Sequence, residues 1–217
     1  GIGGNWAFVM TGFSVFLGFG IAATTGSDIG LTYLAFGPVF GPHVCFASAV
    51  AAHAYAGRKG LLGDKKGKDI DTSPAGFGDP TMLWIGAAFG LGGYLVERCI
   101  RLIPWFGSNT DTVALTVFLS AFVTRLVFGK TPIFNWTSKL TDKESWLRWQ
   151  EKPSQWITIG VMASLMAGGL SLTVAYLLPA VNPETAKVLE LNAQALPFGT
   201  ASYTHLRAHE TAANLVC

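Results

Sequence analysis

Gly37-Pro38-Val39-Phe40-Gly41-Pro42-His43 is the stretch of this sequence best suited to do chemistry. Two Gly-Pro steps, four residues apart, interrupt a long apolar run. Each proline removes a backbone N–H and crowds the preceding turn, at ~3 kcal/mol or more inside a helix. The residue ahead of each proline, Gly37 and then Gly41, is pushed out of the α region. A helix carried through Pro38 and Pro42 must therefore break. In hydrocarbon the freed carbonyls need partners, and such breaks are tolerated where protein or a water-filled cavity surrounds them. Discontinuous helices near the bilayer midplane are how many transporters build substrate sites. His43 follows directly, which would set an imidazole beside those carbonyls on a pathway. A kink packed against small residues, with His43 bonded to a backbone carbonyl, accounts for the same residues equally well.

The second group is charged. Glu97 and Arg101 stand at i and i+4, the spacing of a helical ion pair. Arg98 should face elsewhere. Asp111 lies just past the next loop, within reach of Arg98 or Arg101. Asp28 holds the matching place ahead of the broken run. These residues read either as an ion-pair cluster closing a helical hairpin or as an outer gate. Arg125 sits near the end of an apolar run. It either snorkels to headgroups or pairs with a carboxylate or an anionic substrate inside the membrane.

Other chemistries are not signalled. His43 and His53 are ten residues apart and fall on different helix faces, so they do not form a two-histidine metal site; His53 is expected at the inner interface. Cys45 and Cys99 sit in apolar runs and read as small buried hydrophobes. Gly129-Lys130-Thr131 lacks the upstream glycine of a phosphate loop, position 124 being Thr. No HExxH or GxSxG is present. The chain is therefore read as a non-enzyme without cofactor or metal.

The elements that must position these residues follow from composition. Of 217 residues, 50% are hydrophobic and 13% charged, against roughly a quarter charged in soluble domains. So few charges cannot solvate a surface, and the hydrophobicity excludes disorder. A net charge of +2 is too small for nucleic-acid binding. The class expected is an all-α polytopic membrane protein with the lipid bilayer as its first partner. A bilayer core takes about 20 apolar residues per helix. Five runs meet that length, at about 6–24, 30–57, 82–103, 112–128 and 156–181, and a sixth begins near 192. The runs at 6–24 and 156–181 show no polar face, as a soluble amphipathic helix would.

Basic residues alternate between loops. Arg58, Lys59, Lys65, Lys66 and Lys68 follow the second run, and Lys130, Lys139, Lys143, Arg148 and Lys152 follow the fourth. The positive-inside rule then places loops 58–80 and 129–155 in the cytoplasm of a bacterial inner membrane. Trp136, Trp146, Trp149 and Trp156 suit an interfacial segment, with a short amphipathic helix over 143–149. Ser27-Asp28 and Thr110-Asp111 open the second and fourth runs alike, which suggests two diverged hairpin copies. Small residues four apart, Ser14/Gly18, Gly86/Gly90 and Gly160/Ser164/Gly168, are read as close-packing stripes.

The last residues stand apart. Ser202-Tyr203-Thr204-His205-Leu206-Arg207-Ala208-His209-Glu210-Thr211, followed by Ala212-Ala213 and Asn214-Leu215-Val216-Cys217, resembles a translated transposase-type sequencing adapter. Residues 202–217 are therefore expected to be non-native, and 1–201 to form one transmembrane domain cut at both ends. The function expected is a permease or channel moving a small solute or ion through the broken helix. A non-transporting scaffold subunit and a membrane-embedded enzyme are the alternatives. Copies of itself or other membrane subunits are the expected protein partners.

Overall fold

The structure is a computed structural model and describes residues 1–63, 70, 72–129, 152–177, 180, 183–197 and 199. Among the described residues it is all-helical. Helix α1 runs Gly4–Thr25, α2 Cys45–Lys59, α3 Pro80–Arg101, α4 Phe106–Asn109, α5 Thr112–Phe128, α6 Pro153–Leu172 and α7 Ala186–Asn192. A π-helical segment, Gly30–Ala35, precedes the irregular stretch that leads into α2, and another, Thr173–Leu177, extends α6.

Local chemistry sets the ends. Gly26 and Gly60 close α1 and α2 in the left-handed region (φ 70° and 73°), where a side chain would be strained. Asp79 caps α3 by accepting the Thr81 N–H at 2.8 Å, with Pro80 at the first helical position. Asp111 caps α5 by accepting the Ala114 N–H at 2.9 Å. The α3–α5 connection reverses at Trp105 (φ 63°), with the Phe106 N–H on the Pro104 carbonyl at 2.7 Å, a tight γ-turn.

Among the described residues three helices are long and apolar enough to cross a membrane: Gly4–Thr25, Pro80–Arg101 and Pro153–Leu177. The other two expected spans do not reach that length. Thr112–Phe128 has the composition but only 17 residues. The run at 30–57 is divided, because the two Gly-Pro steps leave no continuous helix between Phe36 and Val44. The expected sixth span near 192 is a short helix, α7, running into a 3-10 turn over Ala193–Ala195. The adapter-like tail, the amphipathic stretch at 143–149 and the lysines of 64–69 and 130–151 lie outside the described residues.

Packing forms two clusters. At one end Val15, Phe19 and Ala22 of α1 meet Leu31, Ala35, Val174 and Leu189. At the other, Ala52 and Ala56 of α2 meet Leu62 and Met82. Chain direction alternates: the Gly4 N–H bonds the Ile70 carbonyl at 2.7 Å, so α1 begins at the end where α2 finishes. Arg58 at the end of α2 donates to the Val127 carbonyl at the end of α5, a side-chain cap on that helix.

The small-residue stripes divide. Gly18 approaches Gly30 and Leu31 so closely that a Cβ on Gly18 would lie 2.9 Å from the Leu31 nitrogen. Gly86, Gly90 and Gly93 of α3 face Ser48, Val44 and His43. Gly160 and Gly168 of α6 face open space, so that stripe packs on nothing among the described residues. Cys99 also differs from expectation: it is exposed on α3. His53, expected at an interface, is fully buried (0% exposed). Its ring bridges the Ala49 carbonyl (2.8 Å from Nδ1) and the Thr72 carbonyl (2.7 Å from Nε2), which holds the following turn against α2.

Candidate functional site

The break supplies its own partners. The Phe40 carbonyl accepts the Thr11 hydroxyl at 2.6 Å and the Cys45 thiol at 3.2 Å. The Gly37 carbonyl accepts the Gly41 N–H, that of Gly41 accepts Val44 and Cys45, and that of Pro42 accepts Ala47. Four carbonyls of the break, and the Leu34 carbonyl freed by Pro38, which accepts the Phe40 N–H at 3.0 Å, are thus satisfied internally rather than bared to a pathway as expected. Cys45, read as a plain small hydrophobe, is half-buried and serves as a donor. Thr11 is a residue that sequence reasoning passed over, because a lone threonine on an apolar helix carries no sign of where its hydroxyl points. Thr11→Val should lower stability by about 1 kcal/mol, the net worth of one such hydrogen bond. The loss should appear in thermal melts of the detergent-solubilised protein; an unchanged midpoint would deny Thr11 its role at the break.

His43 behaves differently. It is fully buried (0% exposed), and neither ring nitrogen has a hydrogen-bond partner. The ring folds back over Gly41, where a Cβ would fall 2.5 Å from Cε1. It stacks beside Tyr94, with centroids 6.4 Å apart and planes at 19°. Pairing His43 with a backbone carbonyl, the alternative offered by the sequence, does not occur. Leaving a buried polar group unpaired costs about 1–3 kcal/mol.

The charged group sits one turn further along α3. The Arg98 guanidinium lies 5.1 Å from the Tyr94 ring centroid, a cation–π geometry. Arg98 also approaches Glu97, with Nε 3.4 Å from Oε2. Arg101 pairs with Glu97 at 3.2 Å, as the i, i+4 spacing implies. Arg98 was expected to face elsewhere, but its long side chain folds toward the turn N-terminal to it, where Tyr94 stands. Glu97 was expected at an outer entrance and instead is buried (1% exposed). The Thr112 hydroxyl donates to its Oε1 at 2.8 Å. Asp111 pairs with neither arginine, because its Oδ1 is committed to capping α5. Asp28 accepts the Thr32 hydroxyl at 3.1 Å and stands apart from the α3 cluster. Arg125 lies on an exposed part of α5, more than three turns from Thr112.

Break and charges meet at a cavity of about 810 Å³. Its wall takes Leu31 and Thr32 from the first π-helical segment and Phe36 and Pro42 from the break. Arg101, Asp111 and the first turns of α5 complete the other side. Of the residues singled out in the sequence, Pro42, Arg101 and Asp111 thus share one space. Gly37, Pro38, Gly41, His43, Glu97 and Arg98 do not line it; His43 and Glu97 are buried and Arg98 is half-buried. Tyr94, beside His43 and Arg98, and Thr112, bonded to Glu97, were not singled out. Tyr94 stands at i, i+4 to Arg98, a spacing that could have indicated it.

No curated protein and no solved structure matches the chain. A family model described as a family of unknown function, DUF7973, matches residues 1–143. That is more than half of the sequence, and the chain belongs to this family.

Proposed function

We propose that this protein is a membrane permease for a small solute, which enters through the cavity beside the broken helix. Five segments cross the bilayer in this reading: α1, the divided run 30–59, α3, α5, and α6 with its π-helical extension. The 17 residues of α5 fall at the short limit of the about 17–25 that a span requires. Loops 58–80 and 129–155 face the cytoplasm of a bacterial inner membrane. The apolar side chains of α6, such as Met162, Leu165 and Met166, are exposed all round and turn to lipid, another copy or another subunit.

The observation that carries the reading is a large cavity lined by Pro42 of the helix break, the residue next to a buried, unpartnered imidazole. Intramembrane ionisable groups are expensive and are by default functional. In a second arrangement of the break, His43 gains the partner it lacks here. One observation favours the scaffold alternative: the carbonyls of Gly37, Phe40, Gly41 and Pro42 are all occupied.

The test is flux. The full chain is reconstituted into liposomes, and osmotic shrinkage is followed by light scattering with glycine, glycerol, lactate and choline chloride. At least one solute should cross about tenfold faster than in protein-free vesicles, equivalent to about 1.4 kcal/mol of barrier. His43→Ala should return that solute to near the protein-free rate without lowering the melting midpoint. Protein-free rates for all four solutes would overturn the permease reading, and full flux in His43→Ala would remove this role from the histidine.

A further inference from the structure

Among the described residues, Arg101 and Asp111 are the only charged ones lining the large cavity. One is positive and one negative, and no ion pair joins them. Each is anchored by something else. Arg101 is held through Nε by buried Glu97, yet keeps just over half of its side-chain surface exposed (53%). Asp111 commits Oδ1 to the Ala114 N–H. Pre-anchored side chains of opposite sign that do not meet leave their gap to a ligand. The remaining wall is uncharged. Phe8, Phe36, Phe46 and Phe118 give it four aromatic rings, and Thr32 and Ser108 give it hydroxyls.

From this arrangement we infer that the cavity binds a small zwitterion, a solute with one carboxylate, one ammonium and an apolar side chain. The carboxylate meets the Arg101 guanidinium, the ammonium meets the Asp111 carboxylate, and the side chain lies on the phenylalanines. A purely anionic, cationic or neutral solute leaves at least one lining charge desolvated without a counterpart, which is how such a site discriminates. The ammonium gains further from aromatic faces nearby. The inference rests on the permease reading for its physiological sense, but binding and flux are measured separately.

The experiment uses the full chain in detergent with phenylalanine and two comparators that each lack one of its charged groups, phenylpropionate and phenylethylamine. By titration calorimetry phenylalanine should bind, and each comparator should bind about tenfold more weakly or less. Asp111→Asn keeps a good helix cap and should weaken phenylalanine by about tenfold, while phenylpropionate, relieved of the unpaired carboxylate, should bind more tightly than it does to the parent. Arg101→Gln should weaken phenylalanine and phenylpropionate alike, and Arg101→Lys, which keeps the charge, should recover part of the loss. A melting curve for each variant separates lost binding from lost folding. Equal affinity for the three probes, or no binding by a protein that melts cooperatively, overturns the inference. Binding without flux leaves the site standing and removes the permease reading; flux without discrimination among the probes does the reverse.

Discussion

Glu97→Ala should destabilise the protein by about 3 kcal/mol, the lower end of the roughly 3–5 kcal/mol typical of breaking a buried ion pair. Three groups depend on this carboxylate: Arg98, Arg101 and the Thr112 hydroxyl. Removal leaves two guanidinium groups without a counter-charge and one buried hydroxyl without an acceptor. The cost stays at the lower end because both arginines are partly exposed, at 34% and 53% of their side-chain surface, and can extend toward water. Glu97→Gln keeps an acceptor for Thr112 and should lose less. Thermal unfolding followed by tryptophan fluorescence reads both variants. A Glu97→Ala midpoint equal to that of the parent would show that the cluster contributes nothing.

Two adjacent glycines should respond with opposite signs. A Cβ on Gly93 would lie 2.0 Å from the His43 carbonyl oxygen, against about 3.3 Å for the closest favourable C–H···O contact. The obstacle is backbone, so α3 itself must retreat, and the neighbouring approach of Gly90 to the Val44 carbonyl opens with it. Gly93→Ala should therefore cost about 1–3 kcal/mol, the range for forced overpacking, and Gly93→Val more. Gly92 faces open space, so Gly92→Ala gains helix propensity and should stabilise by about 0.5–1 kcal/mol. Denaturant titration in mixed micelles compares the pair. Equal effects of the two alanines would show that α3 does not rest on the break at Gly93.

Much of the frame was legible in the sequence, for identifiable reasons. Helices α1 and α5 begin and end within two residues of expectation, since apolar runs bounded by Gly26, Asp111 and Gly129 leave little choice. The break at Phe36–Val44 follows from two prolines. The Gly86/Gly90 stripe was visible too, though its most crowded member, Gly93, falls off the four-residue spacing. Side-chain partners were less legible. Glu97 and Arg101 were paired correctly by spacing, but burial of Glu97 depends on Thr112, which a turn at Trp105 brings back from across the loop. Composition also could not distinguish an apolar face that meets protein from one that does not. That is why Cys99 and the Gly160/Ser164/Gly168 stripe were expected to pack and do not. The cavity was legible only in pieces, because its walls come from segments far apart in the chain.

The Phe40 carbonyl draws its donors from two different parts of the chain, Thr11 before it and Cys45 after it. During synthesis the N-terminal portion emerges first, so the threonine donor precedes the acceptor out of the ribosome. The break can thus be chaperoned by its own predecessor: the oxygen meets a waiting hydroxyl on arrival, and the thiol arrives five residues later to complete the set. Biogenesis and architecture then share one timetable, in which the first donor to that oxygen is already made when the oxygen appears.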